Sequence, residues 1–355
     1  MRRSWPLGLL LLLLAAAFLL RSDWRDPPAS GERSLPAATP VEGIVETAAP
    51  IAAVTEADPP GEAVPETEDA VLGSLKWLLN HQNPDGSWGD GPVTLDGHTL
   101  GPTGVTALAL LAYLGAGYSH LSKDTYDGKC MGDAVRRALQ FLMKDQQPDG
   151  TFASIRDGGF DQALGALSLS EAYGLTGSSL FKDQAQAAVD ALCRMQSPDG
   201  SWGGPAPTVW AAEALYSARI SGLEQISGTA ENLLRSFRSE WPDARETFAR
   251  AFLERKKEEP RLALGADLLL RRKPHWDEQD FTYWYHGSYA MYDFDGPSGP
   301  RWKAWNEDMK NALVRNQTRE GTWPGGTQSH TVVRTSLAQL TLEVYYRMAN
   351  VFGSP

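Results

Sequence analysis

The chain reads as an all-α protein built from repeated helical hairpins, and three observations predict that. A motif of glutamine, three residues, glycine, one residue and an aromatic recurs four times: Gln82, Gly86, Trp88; Gln146, Gly150, Phe152; Gln196, Gly200, Trp202; and Gln317, Gly321, Trp323. Its glycines stand 64, 50 and 121 residues apart, the last interval close to two units, and a period of this size marks a modular architecture of supersecondary units. The segments flanking each motif also differ in kind. Val71, Leu75, Leu78 and Leu79, or Ala134, Ala138, Phe141 and Leu142, fall at i, i+4, i+7, i+8 with Lys76, Arg136, Arg137 and Lys144 between them, the pattern of a half-exposed helix. After the motif, Thr103 to Leu114 and Ala163 to Leu169 are nearly apolar all round, as in a helix enclosed on every side. Finally, no stretch alternates apolar and polar residues between hairpin signals, which argues against a β-rich fold.

Taken in order, the chain begins with Met1 to Ser4, then Trp5 to Leu20, sixteen residues without a charge, closed by Arg21. This is an export signal rather than part of the fold. It is slightly short of the roughly twenty residues of a spanning helix, which favours a cleaved signal peptide. No small-x-small site follows Leu20, which favours an uncleaved signal anchor with Arg2 and Arg3 on the cytoplasmic side. Either reading places the folded part outside the cytoplasm, membrane-anchored or secreted. Residues 21–65 carry eight prolines among Ala, Glu, Thr and Gly, a composition expected to form an extended, disordered linker. Residues 66–355 suit one domain.

Within that domain, outer helices are predicted near 67–82, 130–146, 180–196, 226–240, 260–272 and 299–316. Inner helices are predicted near 103–116, 160–175, 206–220, 243–256, 279–292 and 330–349. The charged run from Ala244 to Glu258 makes the fourth inner helix the least regular. Each motif is a turn with a mechanism, since Pro84, Pro148 and Pro198 fix φ and the glycine two residues on takes positive φ.

These residues resemble the QW motif, the prenyltransferase and squalene oxidase repeat of squalene-hopene cyclases, oxidosqualene cyclases and protein prenyltransferase β subunits. The resemblance covers about residues 66–355 and implies an α/α toroid in which outer helices ring an inner barrel, as in a single-barrel relative of a squalene-hopene cyclase. It also implies that each motif's glutamine and aromatic tie neighbouring helices together, with a weaker stack at Phe152 than at a tryptophan.

In a toroid the residues before the inner helices converge on one mouth: Asp96, His98, Asp157, Asp161, Thr208, Trp210, Asp277, Glu278, Asp280, Tyr283, His330 and Thr331. The resemblance would lead to an Asp-x-Asp-Asp acid or a zinc held by Asp, Cys and His, and the sequence carries neither. Asp293 and Asp295 read as a helix-ending turn with Gly296, and Asp277 to Asp280 as helix capping. Asp161, Asp280, His98, His286 and His330 remain candidate acids or bases. Trp210, Phe281, Tyr283, Trp284, Tyr285 and Tyr289 are candidate ligand-lining rings. No cofactor or metal is expected. The net charge of −11 and pI near 5.1 argue against nucleic acid as a partner. Cys130 and Cys193 fall at opposite ends of consecutive outer helices, so free thiols are expected. The sequence thus points to an exported, tethered, non-catalytic toroid that binds a protein or an apolar ligand at its mouth. A cyclase-like enzyme of polyprenyl lipids with an unfamiliar acid is the alternative.

Overall fold

The computed structural model describes residues 65–153, 159–254, 256 and 259–351. The expected export segment and linker lie outside them, as does Asp157. Among the described residues no helix is long and apolar enough to cross a membrane.

The fold is an α/α toroid of six helical hairpins. The outer helices are α1 (Pro65–Asn80), α3 (Met131–Asp145), α5 (Lys182–Arg194), α7 (Thr229–Ser236), α9 (Pro260–Arg271) and α11 (Pro300–Leu313). The inner ones are α2 (Pro102–Gly115), α4 (Phe160–Thr176), α6 (Pro205–Ile220), α8 (Ala244–Leu253), α10 (Phe281–Asp295) and α12 (Gln328–Leu342). Each inner helix packs against the next, and α12 packs against α2, which closes the ring. A last helix, α13 (Val344–Asn350), follows α12 directly and packs against α2, α10 and α12.

The four motifs hold the outer layer by one repeated geometry. The amide of Gln82 donates to the carbonyls of Gly86 (3.0 Å) and of Ala134 on the next outer helix (2.9 Å). Gln146 reaches Gln184 (2.9 Å) and Gln196 reaches Thr229 (2.9 Å) in the same way. Gln317 reaches Ala70 (2.7 Å), so the fourth motif ties the last outer helix to the first. The motif glycines sit at φ between 84° and 93°. A Cβ on Gly86, Gly150, Gly200 or Gly321 would lie 2.1 to 2.3 Å from a backbone oxygen of the neighbouring outer helix. Both conformation and contact therefore demand glycine.

The aromatics finish the tie. The indoles of Trp88, Trp202 and Trp323 donate to the carbonyls of Leu78 (2.8 Å), Leu192 (2.8 Å) and Leu313 (3.0 Å). Phe152 has no such donor, but its ring is buried against Gly165. The backbone N–H that Trp88, Trp202 and Trp323 give to Thr106, Thr208 and Thr335 goes here to Gln162. The Gln162 amide in turn donates to Gly150 (3.1 Å) and to Ala188 of the next outer helix (2.9 Å), adding a tie the other motifs lack.

The structure departs from the expectations at two points. Two small hairpins exist: β1 (Val93–Leu95) with β2 (His98–Leu100), and β3 (Thr125–Tyr126) with β4 (Lys129–Cys130). Each turns on an Asp-Gly pair with both φ positive, Asp96 and Gly97 or Asp127 and Gly128, the two-residue turn that matches strand twist. The predicted inner helix over 330–349 is broken at Glu343 into α12 and α13. The charged segment after Ala244 forms the expected inner helix, where buried Glu246 accepts bonds from Arg250 (2.8 Å) and Arg261 (2.6 Å). Burial alone would raise its carboxyl, but these two guanidinium groups hold it below the usual range. Cys130 and Cys193 are both free thiols.

Replacing Gly200 by Ala should destabilise the fold by more than about 3 kcal/mol, since positive φ and a blocked contact coincide there. Gln317→Ala should cost about 2 kcal/mol through the hydrogen bonds it loses to Ala70, Ser74 and Gly321. Urea unfolding of both variants checks the order, and a Gly200→Ala protein as stable as the parent would overturn this account of the motif.

Candidate functional site

The lumen is closed at the mouth by the first hairpin. The Asp96 carboxylate lies 3.6 Å from Arg245 at the start of α8, and Thr282 on α10 also hydrogen-bonds it. His98 stands edge-on to Phe160 of α4, with ring centroids 6.1 Å apart. A Cβ on Gly204, before α6, would come 3.0 Å from the His98 ring. Strands β1 and β2 thus lie across the beginnings of four inner helices. Burial raises the Asp96 carboxyl, opposed by Arg245. Asp161 accepts the backbone N–H groups of Gly101 (3.0 Å) and Gly104 (3.1 Å). It caps α2, whose own N-cap residue has no side chain to do so.

Below the hairpin the lumen is filled by rings. Trp210 of α6 stacks on Tyr285 of α10, with centroids 5.1 Å apart and planes at 13°. His286 stands edge-on to Trp210 (4.9 Å) and to Phe248 of α8 (5.2 Å). Its Nδ1 pairs with the Thr282 carbonyl at 3.0 Å. Burial drives His286 down to about 3, which favours the neutral ring. Tyr289 packs on Tyr285 (4.8 Å) and donates to Leu340 (2.8 Å).

At the opposite end lies a charged cluster that the sequence reading did not single out. Arg347 of α13 points back into the ring and pairs with Glu171 of α4 and, at 2.9 Å, with Glu213 of α6. It also donates to the Tyr285 hydroxyl, which donates to Glu213. Gln339 donates to Glu343 (2.6 Å) and to Ala112 of α2 (2.9 Å). Arg347, Glu213, Glu343, Tyr285, Trp210 and His286 are all 0% exposed, so neither solvent nor a water-sized void touches them. Burial raises Glu171 to about 7, with Glu213 adding to it and Arg347 opposing. Glu213 and Glu343 are raised by burial as well. The sequence signal was a lone charge within otherwise apolar inner segments, as at Glu171 and Glu213.

The remaining candidates lie apart. Asp280 N-caps α10 through Tyr283 N–H (3.1 Å) and pairs with Arg272 (3.1 Å). His330 meets Thr327, the cap of α12, at 2.9 Å. Tyr283 faces the outer layer, 5.8 Å from the Trp305 ring of α11, and its hydroxyl donates to Arg272. Phe281 packs against Trp276 and against Trp284, which is itself fully buried. Among the described residues no group of His, Cys, Asp and Glu is arranged to hold a metal ion. An open groove of about 430 Å³ runs along the mouth side, lined in part by Asp85, Asp90, Pro102, Phe141 and Asp145.

Arg347→Met should cost about 3 to 5 kcal/mol, the usual effect of stripping a buried pair of its cation. Urea unfolding at neutral pH measures it, and a loss under about 1 kcal/mol would contradict the pairing.

No family model and no curated protein matches the sequence. Solved structures do match in fold. The type II terpene cyclase MstE from Scytonema, in complex with geranylgeranyl dihydroxybenzoate, superposes with a TM-score of 0.55 at 14% identity, over 80% of this chain and 98% of that one. The α-1,6-mannanase GH76A of Salegentibacter sp. HEL1_6 gives 0.56 at 10% identity, over 79% and 99%. A family 76 glycoside hydrolase from a bovine Bacteroides thetaiotaomicron strain gives 0.55 at 11% identity, over 80% and 78%. At these identities the chain is similar to them in its α/α-toroid architecture, and two unlike chemistries share that architecture.

Proposed function

We propose that this chain is an exported, non-catalytic α/α toroid, tethered to a membrane through residues 5–20, that binds a protein partner at its mouth. On this reading residues 1–20 are the signal anchor, 21–65 the linker that gives reach, and 66–355 the binding domain. The observation that carries it is the packed lumen. Toroid chemistry needs a space inside the ring, and here rings, an arginine and a hairpin of the chain itself occupy that space. Asp161 and Asp280, acids at the starts of inner helices, serve as helix caps, and Asp96 of the hairpin pairs with Arg245. A sealed mouth favours a protein over an apolar ligand, because a protein can bind the rim without entering. The rim offers Trp241, 58% exposed in the loop before α8, and the groove lined by Asp85, Asp90 and Asp145. Exposed aromatics of this kind are common anchors at interfaces.

The cyclase-like reading, that of a squalene-hopene cyclase relative, has one observation in its favour. Carboxyl groups that burial raises, Glu213 among them, stand beside aromatic rings, the pairing that alkene protonation would require. Glu213 would then be the residue to suspect, since it touches both Arg347 and Tyr285.

A photo-crosslinking amino acid at position 241 should capture a protein from the exporting cell's envelope, whereas the same group at Lys76 on outer helix α1 should not. The purified full-length protein should carry no polyprenyl lipid in native mass spectrometry and turn none over. Conversion of a polyprenyl substrate that is lost in Glu213→Gln would overturn the scaffold reading.

A further inference from the structure

Three carboxylates and one guanidinium share the closed end of the lumen. Glu171 comes from α4, Glu213 from α6, Glu343 from the break between α12 and α13, and Arg347 from α13. Each is at most 1% exposed. Facing them are Tyr285, Tyr289 and neutral His286 from α10 and Gln339 from α12. Tyr118, after α2, and Tyr346 of α13 also sense Glu343. Helix α2 itself contributes the Ala112 carbonyl and the bare backbone of Gly115, where a Cβ would lie 2.4 Å from a Glu343 oxygen.

One guanidinium balances one carboxylate. Glu171 and Glu213 both pair with Arg347, and Glu213 is the better held of the two as a carboxylate, since it also accepts from the Tyr285 hydroxyl. Glu171 and Glu343 are then in excess of the cation, and one oxygen of each of the three carboxyls has no hydrogen-bond donor. An ionised carboxylate in that position would be a buried, uncompensated charge, which proteins avoid by keeping the proton or by opening to water.

We propose that α13 is a pH-released plug: it seals the ring while Glu171 and Glu343 are protonated, and their ionisation as pH rises drives it out of the lumen. The geometry suits local release. Helix α13 is seven residues long, is separated from α12 by the break at Glu343, and takes no part in the four motif ties. The sign follows from linkage. In the sealed state Glu171 keeps its proton up to about 7, whereas in water it loses it near 4.5, its ordinary value. Sealing is therefore fully favoured below the ordinary value and weakens through the interval up to 7. Each carboxylate that ionises only on opening raises the opening constant about tenfold per pH unit in that interval.

The test is hydrogen exchange of the full-length chain between pH 5 and 7, corrected for the intrinsic pH dependence of exchange. Amides of residues 344–350 should open at least about tenfold more per pH unit, while those of α2 and α10 keep their protection. In Glu171→Gln the slope at 344–350 should fall by about one proton, that is, by about tenfold per pH unit. If that variant does not fold, Glu343→Gln should show the same reduction. A flat wild-type profile, an unchanged slope in the folded variant, or α2 and α10 opening in step with α13 would each overturn the plug.

Discussion

The bond on which the architecture depends is the side-chain amide of a glutamine reaching across to the backbone of the next outer helix. A toroid has few long-range backbone pairings to fix its curvature, because helices satisfy their own hydrogen bonds. Something else must set the spacing between hairpins. Here Gln82, Gln146, Gln196 and Gln317 do so, each holding its own turn and its neighbour's carbonyl at once. The glycine four residues on lets the two backbones touch, and the tryptophan anchors the turn to the helix it leaves. Position, approach and anchorage are therefore set by three residues within seven.

That division of labour explains why the fold was legible in the sequence. Glutamine, glycine and aromatic recur at a fixed spacing because the geometry is local, so four copies announce four equivalent joints. The enclosed helices were legible for the same kind of reason: apolar residues on all sides admit one environment. The hairpin at the mouth escaped notice although Asp96 and Gly97 are a strong turn signal, because strands of three residues leave no alternation to detect. The break at Glu343 was hidden too, since the residues on both sides have helical character.

The candidate site was less legible. A glutamate within a sequence reads as solvated, and Glu171, Glu213 and Glu343 acquire their meaning only when three separate helices and Arg347 converge. Trp210, Tyr285 and Tyr289, picked out for their rings, do meet in the lumen. Tyr283 does not, because its position on α10 turns it toward α11. Asp161 and Asp280 stand at inner-helix beginnings as expected, where their carboxylates meet backbone N–H groups. At a helix N-terminus, capping and catalysis ask for the same residue, and the contacts of both are those of caps.

Closure of the ring by Gln317 on Ala70 has a topological meaning. An open solenoid has terminal repeats that must be capped and that fray independently. In this ring the first outer helix is another's neighbour, and Tyr346 near the end of the described chain also donates to Glu68 near its start, at 3.1 Å. The polypeptide has two ends, but its architecture has none. The first and last outer helices meet as any other neighbours do, through the same glutamine bond.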